Sequence, residues 1–244
     1  MDIRQLVMVS EKRDPIVNEL CGLFNIEVAF NDPGVAHFGL ENAVLPLGTD
    51  FLEVVSPVEE GTTAGRYLEK QNGNSGYMVI IQVNNFEEYQ DRVRNKKIRV
   101  VHESNFDEAK AIHLHPKQMG GAILSLDWMN PFESWKWAGP NWEKHVNTSL
   151  VKGLKGVQIE SKDPKKMMEI WNSVLDATEG SDFPNRLILD NTWVDFVPSG
   201  EGTEKVSCFA LEVENKKLIE DRAKEMNLLV DGNITIGGVK FLLS

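Results

Sequence analysis

The stretch IRQLVMVSEKRDPIVNELCGLF, from Ile3 to Phe24, contains a short β-like run followed by a helical pattern. Residues 3–10 are rich in β-branched side chains and roughly alternate between apolar and polar, which is typical of a strand. In residues 14–24 the apolar side chains recur at helical spacing, so one face of that helix is apolar. This stretch therefore predicts a strand and then an amphipathic helix that covers one side of a sheet.

The same order of elements recurs along the chain, and an internal repeat constrains the fold more strongly than a single motif does. A helical pattern follows the first strand of each copy, and short β-like runs punctuated by Gly, Pro, Asn or Asp follow each helix. The later copies begin with GYMVIIQV at residues 76–83, GVQIES at 156–161 and VSCFALEV at 206–213. Each copy thus reads as a βαβββ module.

A sheet with one helix layer leaves its other face free, so such modules are expected to pack in pairs around a concavity. We predict an α+β fold of four βαβββ modules that form two curved, cup-shaped mixed sheets with the helices on the outside. The first domain spans residues 1–128, a tryptophan-rich connecting segment spans 129–149, and a second domain with shorter modules spans 150–244. A doubly wound parallel sheet is the alternative, disfavoured because every copy has more than one strand per helix.

The composition of the 244 residues is that of a globular protein, with 41% hydrophobic and 26% charged residues. A net charge of -11 disfavours a nucleic-acid partner, because phosphate binding requires clustered cations. No apolar run is long enough to span a membrane, and Cys21 and Cys208 alone predict neither a disulfide framework nor a zinc finger. We expect a cytoplasmic protein with a small-molecule ligand and no membrane partner, and we leave a homodimer open.

Three stretches of the first half resemble the vicinal oxygen chelate superfamily of glyoxalases, bleomycin resistance proteins and dioxygenases. HFGLENAVLPLGTDFLEVVSP at residues 37–57 resembles the signature of its glyoxalase-like proteins. RYLEKQNGNSGYMVIIQV at 66–83 and AIHLHPKQMGGAILSL at 111–126 resemble the second module of methylmalonyl-CoA epimerases. The resemblance implies a cup around a divalent metal ion, which chelates neighbouring oxygens of a substrate and stabilises an anion on it.

The resemblance places the metal ligands on the first and last strands of each module. In the first copy these positions are Gln5 and Glu53, which are acceptable ligands. In the second copy they are Met78 and Ser125, where the epimerase pattern has His and Glu. A neutral thioether does not suit the metals of this superfamily, so the ligand set is incomplete. We therefore expect no cofactor, with one divalent metal ion as the alternative. The corresponding positions of the second half are Gly156, Asp195, Cys208 and Leu242.

Further polar side chains are candidates for the first cup. His113 and His115 lie two residues apart on a predicted strand, so both would project to one face as replacement ligands. Alternatively, the His-Pro pair simply ends that strand. Asp127 lies two residues after Ser125 and would share its face. His37 precedes the signature, either as a binding residue or as an exposed loop residue.

The connecting segment is unusually aromatic. Such side chains provide large, rigid contact area, so they would either close over a ligand or seal the junction between the two halves. The aromatic run consists of Trp128, Phe132, Trp135, Trp137 and Trp142.

The sequence leaves two functions open, and with them the question of whether the protein is an enzyme. In the first, it is a lyase or isomerase for a small oxygenated metabolite, with Glu53 and His115 as catalytic residues. Burial in an apolar cup would raise the pKa of Glu53 toward the range of a general acid or base. In the second, the cup binds or sequesters a small molecule without catalysis, as in the antibiotic-resistance branch of the superfamily. The residues expected to contact the small molecule are Gln5, Met78, Ser125, Asp127, His113 and His37.

Overall fold

The computed structural model describes residues 1–244 and contains fifteen β-strands, all in one mixed sheet. Each quarter of the chain begins with a strand and a helix, and further strands follow. In the first quarter, the strand expected directly after the helix is reduced to a bridge between Phe30 and Val44. The first quarter comprises β1 (Asp2–Val9), α1 (Arg13–Phe24), a 3-10 helix (Pro33–Phe38), β2 (Leu40–Leu47) and β3 (Asp50–Pro57), and α2 (Thr63–Gln71) follows.

The other quarters each have three strands after the long helix. The second comprises β4 (Ser75–Gln82), α3 (Phe86–Asn95), β5 (Val100–Asn105), β6 (Ala109–Leu114), the short α4 (Pro116–Met119) and β7 (Ile123–Met129). The third comprises β8 (Val151–Ser161), α5 (Pro164–Leu175), β9 (Thr178–Glu179), β10 (Arg186–Ile188) and β11 (Trp193–Pro198). The fourth comprises β12 (Lys205–Val213), α6 (Lys216–Glu225), β13 (Leu229–Val230), β14 (Asn233–Ile236) and β15 (Val239–Leu243).

Three of the long helices begin at the same kind of residue, which explains why the repeat is visible in the sequence. The side chains of Asn85, Asp163 and Asn215 cap α3, α5 and α6 by accepting hydrogen bonds of 3.4, 3.1 and 3.0 Å from backbone amides of the first turn. Such caps satisfy amide groups that the helix itself leaves unbonded. Each of these helices therefore starts three or four residues after its first strand ends.

The strands form two halves of equivalent topology. The first half has the order β2-β3-β1-β4-β7-β6-β5, and the second has the order β9-β10-β11-β8-β12-β15-β14-β13. In each half the first strands of the two modules are antiparallel neighbours, and the last strand of each module runs parallel to its first. The doubly wound parallel sheet is therefore wrong, and the paired-module prediction is confirmed.

The helices lie outside the cups and pack between the halves. Helix α1 contacts α6, and α3 contacts α5. The Arg92 side chain donates a 3.0 Å hydrogen bond to the carbonyl of Leu175 across this interface. A cluster of 50 buried apolar residues draws on both halves, so they share one core. The division into two domains at residues 128 and 150 stays a prediction.

Candidate functional site

The first cup is the face of the first half that is opposite α1 and α3. On this face Glu53 lies beside Val7, and Met78 lies opposite the same residue. Gln5 lies two residues before Val7, and Ser125 on β7 joins the same face through its pairing with β4. Because paired residues and every second residue of a strand share a face, the four positions expected to carry metal ligands converge on this cup.

The Glu53 carboxylate is held by two amide side chains. Asn42 Nδ2 and Gln5 Nε2 each donate a 2.7 Å hydrogen bond, one to each carboxylate oxygen. The side-chain oxygen Oε1 of Gln5 accepts a 2.7 Å hydrogen bond from the indole nitrogen of Trp135. Burial raises the pKa of Glu53, and the two amide hydrogen bonds partly oppose that rise. The result is a carboxyl group in an apolar cup whose hydrogen-bond partners all come from the protein itself.

Asp127 forms a second buried carboxyl site on the same face, where it is 1% exposed. It accepts a hydrogen bond from the hydroxyl of Ser125 and a 2.7 Å hydrogen bond from the indole nitrogen of Trp137. Burial raises the pKa of Asp127 to about 7, although both hydrogen bonds oppose the rise. This carboxyl group therefore titrates near neutral pH, where a side chain can serve as general acid or base.

The hollow of the first cup is filled by the chain itself. Residues 130–149, called here the aromatic segment, connect β7 to β8 and cross the cup face. Trp135 is 1% exposed and stacks on Phe51, with ring centroids 6.0 Å apart. Trp142 meets the same phenyl ring edge-on at 5.0 Å. The indole rings of the aromatic segment thus pack into the first cup against Phe51.

Polar contacts fix the aromatic segment to both central strands. The Arg4 side chain on β1 donates a 3.0 Å hydrogen bond to the carbonyl of Glu133. Gln82 on β4 donates to the carbonyl of Phe132. The Arg4 guanidinium also lies 5.6 Å from the ring centroid of Trp135, within the range of a cation–π interaction. These contacts hold the segment in the cup.

Three histidines lie along one rim of the cup. His113 pairs with Ser125 and so faces the cup, and its ring centroid is 4.8 Å from that of His102. Burial, followed by the neighbouring His102, lowers the pKa of His113 to about 3, which keeps this ring neutral. The Phe38 ring stands edge-on between His102 and His37, at 5.0 and 5.4 Å. His37 and His113 therefore belong to one aromatic cluster.

His115 does not join this cluster. Strand β6 ends at Leu114, so His115 is not on the strand, and the pair of ligands expected from its spacing to His113 is not formed. Instead, His115 Nδ1 accepts a 3.1 Å hydrogen bond from the amide of Lys117 and caps α4. The simpler interpretation, in which the His-Pro pair ends the strand, is the correct one. No hydrogen bond connects His115 to Glu53.

The side chains of the first cup do not fit a metal site of the kind that the superfamily resemblance implies. Both oxygens of Glu53 accept amide hydrogen bonds, and the Gln5 oxygen is taken by an indole. Met78 and Ser125 add no charge to the cup. The chain contains no group of three or more His, Cys, Asp or Glu side chains that could hold a metal ion.

The second cup differs from the first at each ligand position. A Cβ atom on Gly156 would lie 2.2 Å from the ring of Trp193, so this ring covers the first-strand position. Asp195 is fully buried and receives hydrogen bonds of 2.6 and 2.8 Å from the Arg186 guanidinium. Burial raises the pKa of the Cys208 thiol to about 12, so the thiolate that binds metals is disfavoured.

Asn42 is a site residue that the sequence interpretation missed. It lies on β2 and connects Glu53 to the backbone, because its side-chain oxygen also accepts a 2.7 Å hydrogen bond from the amide of Asp32. The available signal was a single asparagine at the start of the apolar run NAVLPL. A buried polar side chain needs hydrogen-bond partners, so an isolated amide in a buried strand points to a polar neighbour.

Paired βαβββ modules with adjacent first strands and a cup opposite the helices define the vicinal oxygen chelate fold, and the chain has this fold. A hypothetical protein from Staphylococcus aureus matches 99% of the chain and 98% of its own at a TM-score of 0.64 and 12% identity. A Streptomyces coelicolor methylmalonyl-CoA epimerase variant in complex with 2-nitronate-propionyl-CoA matches 53% of the chain and 97% of its own, with a TM-score of 0.47 and 19% identity.

Methylmalonyl-CoA epimerase from Mycobacterium tuberculosis matches 56% of the chain and 91% of its own, with a TM-score of 0.47 and 16% identity. No protein-family model matches the sequence, and no curated protein matches it. None of the helices is both long and apolar enough to cross a membrane. The whole-chain match supports the fold alone.

Proposed function

We propose that the protein binds a small oxygenated molecule in the first cup, without a metal ion and without turnover. The observation that carries this proposal is the closed hydrogen-bond chain from Asn42 through Glu53 and Gln5 to Trp135. The Glu53 and Gln5 oxygens that could bind a metal ion already accept hydrogen bonds from protein groups. Recognition of the small molecule therefore rests on hydrogen bonds and apolar contacts. The same proposal includes a cytoplasmic location and a homodimer.

The contacts of Trp135 indicate what the ligand has to offer. Its indole ring provides a flat apolar surface to Phe51 and a hydrogen-bond donor to the Gln5 oxygen. A ligand that displaces this ring needs the same two properties, because a buried acceptor left without a donor costs about 1–3 kcal/mol. The ligand class is therefore a small, largely apolar molecule with a hydroxyl group that donates to Gln5.

The test is direct identification of a bound molecule in purified protein. Protein made in cells is denatured, and the released small molecules are identified by mass spectrometry, with and without prior treatment with a chelator. We expect the same ligand in both samples, and less of it in the Glu53→Gln variant than in the Glu60→Gln variant, which changes an exposed carboxylate. Loss of the ligand after chelation alone contradicts the proposal.

The alternative function is a metal-independent isomerase or lyase, and the buried carboxyl groups favour it. Burial raises the pKa of Glu53 and brings that of Asp127 to about 7. In such an enzyme Glu53 takes a proton from a carbon next to a carbonyl group, and Asp127 returns one. This requires the aromatic segment to leave the cup, because Trp135 occupies it.

Exchange of substrate C–H for C–D in heavy water, followed by NMR over a panel of small keto acids and thioesters, tests this alternative. The expected result for an enzyme is exchange that Glu53→Gln abolishes and Glu60→Gln preserves. Full exchange activity in Glu53→Gln removes Glu53 as the base. If a molecule binds but shows no exchange, the result supports binding without catalysis.

A further inference from the structure

An open groove lies on the helix side of the first half, between α3 and β5. Helix α3 packs against β7, and every residue of the outer strand β5 is exposed or half-buried. The groove has a volume of about 220 Å³, and Val93, Ile98, Val100 and Ile112 form its apolar part. A groove of this size and lining accepts a large apolar side chain, such as leucine or phenylalanine.

The chain next to this groove is strongly cationic, although the protein has a net charge of -11. The sequence RVRNKKIR at residues 92–99 contains five cations, of which Arg92 and Arg94 form ion pairs with acidic side chains. Lys96, Lys97 and Arg99 are exposed and form no ion pair. These three side chains, called here the cationic loop, are free to meet a partner of opposite charge.

A fourth free cation adjoins the cationic loop. The Gln118 side chain on α4 accepts a 2.8 Å hydrogen bond from the Arg99 amide and donates a 3.2 Å hydrogen bond to the Lys97 carbonyl. These two bonds hold α4, and with it the exposed Lys117, beside the loop. Positive charge is thus concentrated at one end of the groove.

Strand β5 forms the other wall of the groove and is an edge strand, because it pairs only with β6. Val100 and Val101 at its start are 36% and 44% exposed. A free edge offers backbone donors and acceptors to an extended chain. The acidic Glu103 also lines the groove, roughly 10 Å further along β5 than Val100 at about 3.3 Å per residue, so its carboxylate lies away from the cationic end.

We propose that this groove binds an extended acidic peptide segment of another protein. One apolar side chain of the peptide enters the groove, its backbone runs along β5, and its carboxylates meet the cationic loop. Charge complementarity selects this occupant, because free cations border an apolar pocket in an otherwise acidic protein. Nucleic acid fits less well, since a phosphate backbone has no apolar group to place in the groove.

The test uses fluorescence anisotropy with a labelled peptide of aspartate and glutamate residues around a central Leu-Val pair. We expect binding that salt weakens and that the combined change Lys96→Glu, Lys97→Glu and Arg99→Glu reduces at least tenfold. Val100→Asp, which puts a charge into the groove, is expected to reduce it as much. Both variants alter exposed positions, and circular dichroism verifies their folding.

The matched control changes Lys70, Lys144 and Lys240 to Glu, which alters net charge equally but at scattered, exposed sites. Its affinity is expected to stay within threefold of that of the unchanged protein. An equal loss in the control overturns the proposal, as does no detectable peptide binding. A single-stranded oligonucleotide of the same charge that binds as tightly as the peptide also overturns it, because only electrostatic attraction is then at work.

Discussion

Replacement of Trp135 by alanine tests how firmly the aromatic segment fills the first cup. The side chain is 1% exposed, stacks on Phe51 at 6.0 Å and donates a 2.7 Å hydrogen bond to Gln5. Truncation of a fully buried tryptophan costs about 3–5 kcal/mol. The side-chain amide of Gln5 keeps its hydrogen bond to Glu53, so the variant loses no bond beyond that of the indole. We therefore expect a loss of about 4 kcal/mol in the free energy of unfolding.

Trp135→Phe provides the matched comparison. It keeps an aromatic ring for stacking but removes the indole N–H, so the expected loss is about 1–3 kcal/mol, the cost of an unsatisfied buried acceptor. Urea unfolding followed by far-UV circular dichroism measures both variants. The difference between them separates the contribution of ring volume from that of the hydrogen bond to Gln5.

Free indole adds a second readout, because Trp135→Ala leaves a cavity with the Gln5 oxygen at its wall. Indole at about 100 times its dissociation constant should restore about 2.7 kcal/mol to this variant. The unchanged protein, whose cup is full, should show no such gain. A loss below about 1 kcal/mol for Trp135→Ala, or equal stabilisation of both proteins by indole, refutes the filled cup.

Three further predictions concern the buried groups. The folded-state pKa of Asp127, about 7, lies above its unfolded value of about 3.9, so its contribution to stability falls as pH rises from about 4 to 7. In Asp127→Asn, the urea midpoint should therefore change less with pH than in the unchanged protein. Some pH dependence remains because burial also raises the pKa of Asp50, to about 6. An unchanged pH profile contradicts the assignment. Gly156→Ala should lower the melting temperature, because the new Cβ would lie 2.2 Å from the Trp193 ring. Adding Trp193→Ala should remove that loss, whereas additive losses in the double variant argue against the clash. Asp195→Ala should destabilise by about 2–4 kcal/mol in urea unfolding, whereas Glu214→Ala, at an exposed ion pair, should cost under about 1 kcal/mol; equal losses speak against a special role for the buried pair.

The repeated strand and helix patterns predicted the fold because local signals define each module. The caps at Asn85, Asp163 and Asn215 mark where helices begin, and alternating strands mark what precedes them. Equivalent register in each copy then brings Gln5 and Glu53 to one face. Positions relative to a strand were therefore accessible from sequence.

The content of the cup was not accessible, because it depends on contacts between distant parts of the chain. Trp135 reaches Gln5 across the whole first half, and no local pattern specifies that contact. His115 was misplaced for a smaller reason, since β6 ends one residue earlier than the alternation suggested. Asn42 was overlooked because its role appears only once β2 is paired with β3.

The packing of helices between the two halves has a consequence for how such a chain can be divided. Met226 on the C-terminal side of α6 lies within 3.0 Å of where a side chain on Gly22 would begin, so each half supplies the cover for the other's apolar helices. Either half expressed alone would therefore expose an apolar helix surface to water. The two halves are therefore expected to unfold as one cooperative unit.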